Sequence, residues 1–272
     1  MKPIVSIYVP SIRPENWLRQ HASIKNSNNT TFELIYIAPV LPPAGNLPPE
    51  IHYIHSTVKP AQCAQIGWQA CEGEFCIFAQ DDLVFGPGTI DILVTKWRAL
   101  NEALNNDLVV VSCMPYLNNV PLETFRYRFW DGDRGSPMTP IGGLYKKSTM
   151  DKLGGIDRNF ICTAWDIDLA MRLFEMGGYG IFCEGTCANE IVPPGIPRLC
   201  SYGAKMDRPY LHELWTISQE EYAVKKNTGF EIQYMNPGRR QGVICKHRKH
   251  SLAQYSPVDI MTISQGPTGR WV

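Results

Sequence analysis

The stretch Phe75-Cys76-Ile77-Phe78-Ala79-Gln80-Asp81-Asp82 decides the fold. Its unbroken apolar run reads as a strand buried on both faces, the pattern of a parallel sheet covered by helices. The run feeds directly into two adjacent carboxylates. Upstream, Ile4-Val5-Ser6-Ile7-Tyr8-Val9 has the same character and is stopped by Pro10-Ser11. Phe32 to Ile37 is a further strand, ended by Ala38-Pro39 and a Pro-rich loop through Pro49, and Ile51 to His55 is a short one. Helical patterning falls between the strands, over Glu15 to Ile24 and over Ala61 to Ala70, with Gly73 as punctuation. Downstream come a helix over Thr89 to Leu104 and a strand over Leu108 to Cys113. Alternation of this kind predicts an α/β fold with a doubly wound, mostly parallel sheet and helices on both faces.

The rhythm changes after residue 113. Residues 115 to 140 are aromatic, polar and irregular, and Pro140-Ile141-Gly142-Gly143-Leu144-Tyr145 precedes a short helix at Ser148 to Leu153. Gly154-Gly155 opens an extended segment, and Thr163 starts a helix that carries Asp166, Asp168 and Arg172. Beyond Gly185 the chain is rich in Pro, Gly and aromatics, and Gly238 to His250 is locally basic. The expected organisation is a domain over 1-190 with halves 1-113 and 114-190, then an irregular C-terminal extension over 191-272.

Lys plus Arg (26) balances Asp plus Glu (26) over 272 residues. A chain that grips phosphate backbones generally carries a basic excess, which argues against a general nucleic-acid binder. No run approaches the roughly 18 apolar residues of a membrane span. The apolar N-terminal run is interrupted by Pro10 and Arg13, so it reads as a first strand and not as a leader. The expectation is a cytoplasmic protein, with peripheral membrane contact and self-association left open. The nine cysteines lack zinc-site spacing and read as reduced thiols.

Two groups of residues carry chemistry. Ligands bind at the C-terminal edge of an open parallel sheet, and Asp81-Asp82 stands there. The adjacent carboxylates repel one another, so they make either a solvated turn or a seat for Mn²⁺ or Mg²⁺, which take oxygen ligands and share them with substrate phosphates. In the run Ala164-Trp165-Asp166-Ile167-Asp168-Leu169, helical spacing puts Asp166 on the face of Leu169, Ala170 and Leu173 and points it inward. Thr163 suits the helix cap, and Asp168 stands four residues before Arg172, the spacing of a structural salt bridge.

The ordered set resembles the family 2 glycosyltransferases of the GT-A fold. Val5 to Ser11 with Arg13-Pro14-Glu15 is similar to that family's opening strand. Ala70-Cys71-Glu72-Gly73-Glu74-Phe75 through Asp82 follows its "A-x-G-E-(aromatic)" strand and DXD-type motif. Gly142-Gly143-Leu144, Gly154-Gly155-Ile156-Asp157 and Trp165-Asp166-Ile167-Asp168-Leu169 match its acceptor-side run. The resemblance implies sugar transfer with inversion from a nucleotide diphosphate sugar to an acceptor hydroxyl. It gives Asp82 the divalent metal and Asp81 the ribose or the metal's water shell. It gives Asp166 the role of general base. Pro10, Ser11, Arg13, Lys59, Gln65 and Gly143 join Asp81 around the nucleotide sugar, with Trp165 and Trp130 on the acceptor side. The acceptor is a glycan, a lipid-linked sugar or a modified nucleic acid.

The chain departs from the family pattern in places. Ala38-Pro39 stands where an acidic pair reads the base, Ala64-Gln65 replaces Arg-Asn, and Trp165 replaces an acidic residue. Cys187-Ala188-Asn189-Glu190 holds no histidine, which leaves His212, His247 and His250 as candidate metal ligands. Two rival readings remain: a catalytically silent GT-A-like protein that binds a sugar or nucleotide, and a sugar nucleotidyltransferase.

Overall fold

The computed structural model describes residues 2–25, 29–122, 142–176, 178–193 and 200–215. Strands β1 (Val5–Pro10), β2 (Phe32–Ala38), β3 (Ile51–His55) and β4 (Phe75–Phe78) are parallel and lie in the order β3-β2-β1-β4. β2 is buried at every position, in keeping with a run that is apolar apart from Glu33. Its alternate side chains meet different helices. Tyr36 stacks on Trp17 of helix α1 (Trp17–Lys25), with ring centroids 4.2 Å apart, while α2 (Pro60–Ala70) packs on β1 and β2.

Beyond β4 the sheet continues through β8 (Gly143–Lys146), β6 (Val109–Leu117), β9 (Tyr179–Glu190) and β5 (Leu83–Phe85), and the two-residue β7 (Val120–Pro121) pairs with β6. β8 is antiparallel to both β4 and β6, and β6 is parallel to β9. Among the described residues six of the nine strands therefore run in one direction, the mostly parallel sheet that the alternation predicts. Helix α3 (Thr89–Leu104) packs on β6 and β9, as expected for its position.

The second half holds elements that the sequence pattern does not announce. β5, β7 and β8 are two to four residues long, too short for a period to register. β9 contains Gly180 and Gly185 and forms because β6 and β5 supply partners on both sides. Helices α4 (Lys147–Leu153) and α5 (Trp165–Glu175) are where the sequence puts them. The C-terminal extension is not irregular throughout, since Cys200–Leu214 is a helix, α6, with Pro209 inside it. Its buried Gly203, Asp207, Leu211 and Leu214 recur at helical spacing. Among the described residues no helix is long and apolar enough to cross a membrane.

Gly67 makes the contact of α2 with the sheet possible. A Cβ there would stand 2.5 Å from Ile37 Cδ1 and 2.8 Å from Tyr8 Cβ. The second is rigidly attached to β1 and cannot move aside. Gly67→Val is expected to lower the unfolding free energy by about 1–3 kcal/mol through overpacking. An unchanged urea midpoint would show that α2 does not sit this close to the sheet.

Candidate functional site

The parallel register of β1 and β4 sets the site. Tyr8 stands opposite Phe78, so Ser11 and Asp81, each three residues further on, emerge side by side at the C-terminal edge. Ser11 Oγ donates to Asp81 Oδ2 at 3.0 Å, and the backbone N–H groups of Ile12 and Arg13 donate to the same oxygen at 2.9 and 3.0 Å. Arg13 Nε donates to Asp81 Oδ1 at 2.9 Å, with Nη2 as a second, close donor. Five donors thus saturate one carboxylate. Ser11 is itself held by Trp17 Nε1, which donates to its Oγ at 2.7 Å.

Asp82 is placed differently. Its Oδ2 accepts from Arg13 Nη2 at 2.9 Å, whereas its Oδ1 is buried with no hydrogen-bond partner among the described residues. Burial pushes its carboxyl above the ordinary range, the Arg13 guanidinium pulls it back, and Asp81 pushes it up again. A buried carboxylate oxygen without a donor is costly unless a cation or proton meets it. The open oxygen fits a hard divalent cation, which commonly takes one or two carboxylates and completes its shell with phosphates and water. Among the described residues no group of three or more His, Cys, Asp and Glu converges on a metal position. Among the described residues Asp82 is the one placed to hold the ion, with the rest of its shell supplied from elsewhere.

The first residue of α5 is anchored to this edge. Trp165 is buried and packs edge-to-face on Phe78 of β4, with ring centroids 4.9 Å apart. Asp166 is half-buried, and burial raises its carboxyl to about 6. Asp168, two residues on, is fully buried; it accepts from Arg172 Nε at 3.0 Å and from Trp215 Nε1 at 3.0 Å. The salt bridge is structural, because Arg172 Nη2 also donates to Gly155 O at 2.7 Å and Nη1 to Leu153 O. The expected face is corrected on one point. Asp168 is the more deeply buried of the two aspartates, and Asp166 sits nearer the surface.

The cap is also different from expectation. Thr163 does not cap α5; its Oγ1 is buried without a partner among the described residues. The segment before the helix is held by an acid from the C-terminal extension. Asp207 of α6 accepts three consecutive backbone N–H groups, from Ile161 at 2.9 Å, Cys162 at 2.8 Å and Thr163 at 2.7 Å. Ala61 N, at the start of α2, donates to Ile161 O at 3.0 Å from the other side. This bracing sustains Ala164 at φ +61°, a conformation that costs a non-glycine residue energy and turns the chain into Trp165 and Asp166. Asp207 escaped the sequence reading; the signal was an acid inside the apolar stripe of Gly203, Leu211 and Leu214.

The remaining expected residues are placed as follows. Pro10 ends β1, and Gly143 begins β8 beside the end of β4, where Gly142 N donates to Phe78 O at 2.9 Å. Gln65 is buried, and its Oε1 accepts from Ile156 N at 2.8 Å, so it braces the Gly154-Gly155 turn. That turn needs φ near +79° at both glycines, and a Cβ on Gly155 would stand 2.7 Å from the Trp68 ring. Lys59 is exposed and precedes α2. Asn189 is bonded to Asn119, and Ile191 N donates to Asp82 O at 2.9 Å, so the strand expected to carry a metal histidine does end beside Asp82. His212 is an exposed residue of α6. Trp130, His247 and His250 lie outside the described residues.

No protein-family model matches the chain, and no curated protein is similar to it in sequence. Solved structures are similar in fold. Staphylococcus aureus TarS 1-349 superposes with a TM-score of 0.52 at 13% identity, over 70% of this chain and 60% of that one. GalNAc-T7, crystallised with UDP, GalNAc and Mn²⁺, superposes with a TM-score of 0.60 at 13% identity, over 81% of this chain and 49% of that one. The chain thus spans about half to three-fifths of the length of these structures. The fold is that of the GT-A glycosyltransferases.

Two outcomes follow from the geometry around α5. Asp207→Ala leaves three N–H groups without their acceptor and is expected to destabilise the protein by at least about 2 kcal/mol, at about 1–3 kcal/mol per unsatisfied group. A denaturation midpoint equal to the wild type would mean that these bonds are not made. The Asp166 carboxyl, raised to about 6, binds its proton more tightly in the folded than in the unfolded chain, where it titrates near 4. Ionising it therefore opposes folding, and its contribution declines as pH rises from about 4 to 6. Asp166→Asn is expected to lose less stability over that interval, read from urea midpoints at the two ends.

Proposed function

We propose that the chain is a glycosyltransferase that moves a sugar from a nucleotide diphosphate sugar to an acceptor hydroxyl, with inversion. The observation that supports this reading is the C-terminal end of β4. Asp82 presents an open, buried oxygen just past the end of that strand, and Asp166 is the second residue of a helix whose first residue, Trp165, packs on the same strand. The GalNAc-T7 structure, similar in fold and crystallised with UDP, GalNAc and Mn²⁺, supports the reading.

In this reading Asp82 holds Mn²⁺ or Mg²⁺, which when bound neutralises charge on the diphosphate leaving group. Asp81 fixes the loop of residues 11–13 and with it Arg13; reaching a ribose would require it to surrender one of its five bonds. Ser11, Pro10 and Gly143 border the donor. Asp166 takes the proton from the acceptor hydroxyl as that oxygen bonds to the anomeric carbon and the bond to phosphate breaks. A carboxylate titrating near 6 suits this task, being ionised at neutral pH yet more basic than an exposed aspartate. One displacement of this kind inverts the sugar centre and needs no nucleophilic side chain. Trp165 supports the base through its packing on Phe78, and Trp130 and the basic tail remain candidates for the acceptor side.

The test is transfer or hydrolysis of a panel of nucleotide sugars with Mn²⁺. Asp166→Asn is expected to lower kcat by about 10²–10⁴. The wild-type rate should fall on the acid side of a midpoint near 6, where the base protonates. Asp82→Asn should abolish stimulation by the metal. Activity that persists in both variants would overturn the assignment.

A further inference from the structure

Arg13 is tied at one edge and unengaged at the other. Its Nε and Nη2 are bound to Asp81, and Nη2 also reaches Asp82 Oδ2 at 2.9 Å. Nη1 bonds to none of the described residues, and the Arg13 side chain is 32% exposed against 4% and 8% for the two carboxylates. Two carboxylates and one guanidinium leave the cluster with a single net negative charge. The open Oδ1 belongs to the carboxylate whose other oxygen the guanidinium holds.

We propose that Arg13 is a built-in counter-ion that competes with a divalent cation for Asp82, so that metal is taken up tightly only together with a diphosphate. The inference rests on the reading of the acidic pair as a seat for metal and diphosphate. A cation that approaches Oδ1 in the free protein meets a fixed positive charge on the same carboxylate, and the repulsion weakens its binding. A diphosphate removes the conflict, because phosphate oxygens match the planar fork of arginine as carboxylates do. Arg13 then exchanges Asp82 for phosphate while its Nε stays on Asp81, and Asp82 is released to the metal. Linkage makes the effect reciprocal: the factor by which diphosphate tightens metal binding is the factor by which metal tightens diphosphate binding.

The experiment measures Mn²⁺ binding by the paramagnetic resonance of the free ion, with the metal alone and with added UDP, on the full chain. The variants are Arg13→Gln, Arg13→Lys, Asp82→Asn and the Arg13→Gln/Asp82→Asn pair, each checked for native circular dichroism and melting. An adjacent opposite charge changes the proton affinity of a carboxylate by about one to three powers of ten, and a comparable factor applies to a cation. Arg13→Gln is therefore expected to bind Mn²⁺ alone at least about tenfold more tightly than the wild type, and to gain less from UDP. Arg13→Lys, which keeps the charge, should stay weak, and the double variant should lose the gain. If Arg13→Gln binds Mn²⁺ no more tightly while UDP still promotes Asp82-dependent uptake in the wild type, the counter-ion role fails and the site reading stands. If no Mn²⁺ uptake depends on Asp82 with or without UDP, the site reading itself fails and the counter-ion role with it.

Discussion

The carboxylate of Asp81 is the joint on which the candidate site depends. It takes five donors from a single loop, and that loop follows the strand next to its own. Two adjacent acids at a buried sheet edge would otherwise repel one another and leave their surroundings open. Here one acid is spent on structure, which fixes Arg13, and Arg13 partly neutralises the other. Asp82 is left with one oxygen that nothing in the described chain satisfies. The same joint makes the edge rigid and leaves it unfinished, the combination expected of a site that a ligand completes.

A second buried network does the corresponding work for α5. Asp168, Arg172 and Trp215 fix the helix and the Gly154-Gly155 turn, and Asp207 gathers the backbone of residues 161–163. Both α6 and Trp215 belong to the C-terminal extension. The extension therefore holds the segment that leads into Asp166, although it lies outside the repeating strand-helix pattern. Burial is the largest influence on the nearby Asp166 carboxyl and outweighs its backbone hydrogen bonds.

Most of the first half was legible because its elements are long and its burial simple. β2 is apolar at nearly every position and is buried throughout, and α3 runs from Thr89 to Leu104 as its pattern indicates. Asp81 and Asp82 were legible because they end such a strand. The second half was less so. β8 has four residues and β5 three, and neither carries a periodic signal of its own. Thr163 has the chemistry of a cap but points elsewhere, because Asp207 from a distant helix already serves the backbone there.

The amino-acid order alone determined that a buried strand would end in two acids at the C-terminal edge of the sheet, because apolar runs and the punctuation after them are local properties. It determined the Asp168–Arg172 pair as well, since four-residue spacing on a helix brings side chains together wherever the helix lies. Tertiary structure decided what each acid does. Which carboxylate is saturated and which is left open depends on residues 68 to 70 positions away in the chain, brought alongside by the register of β1 and β4. Burial and donor count are sums over neighbours from several elements, and those neighbours exist only once the sheet has formed.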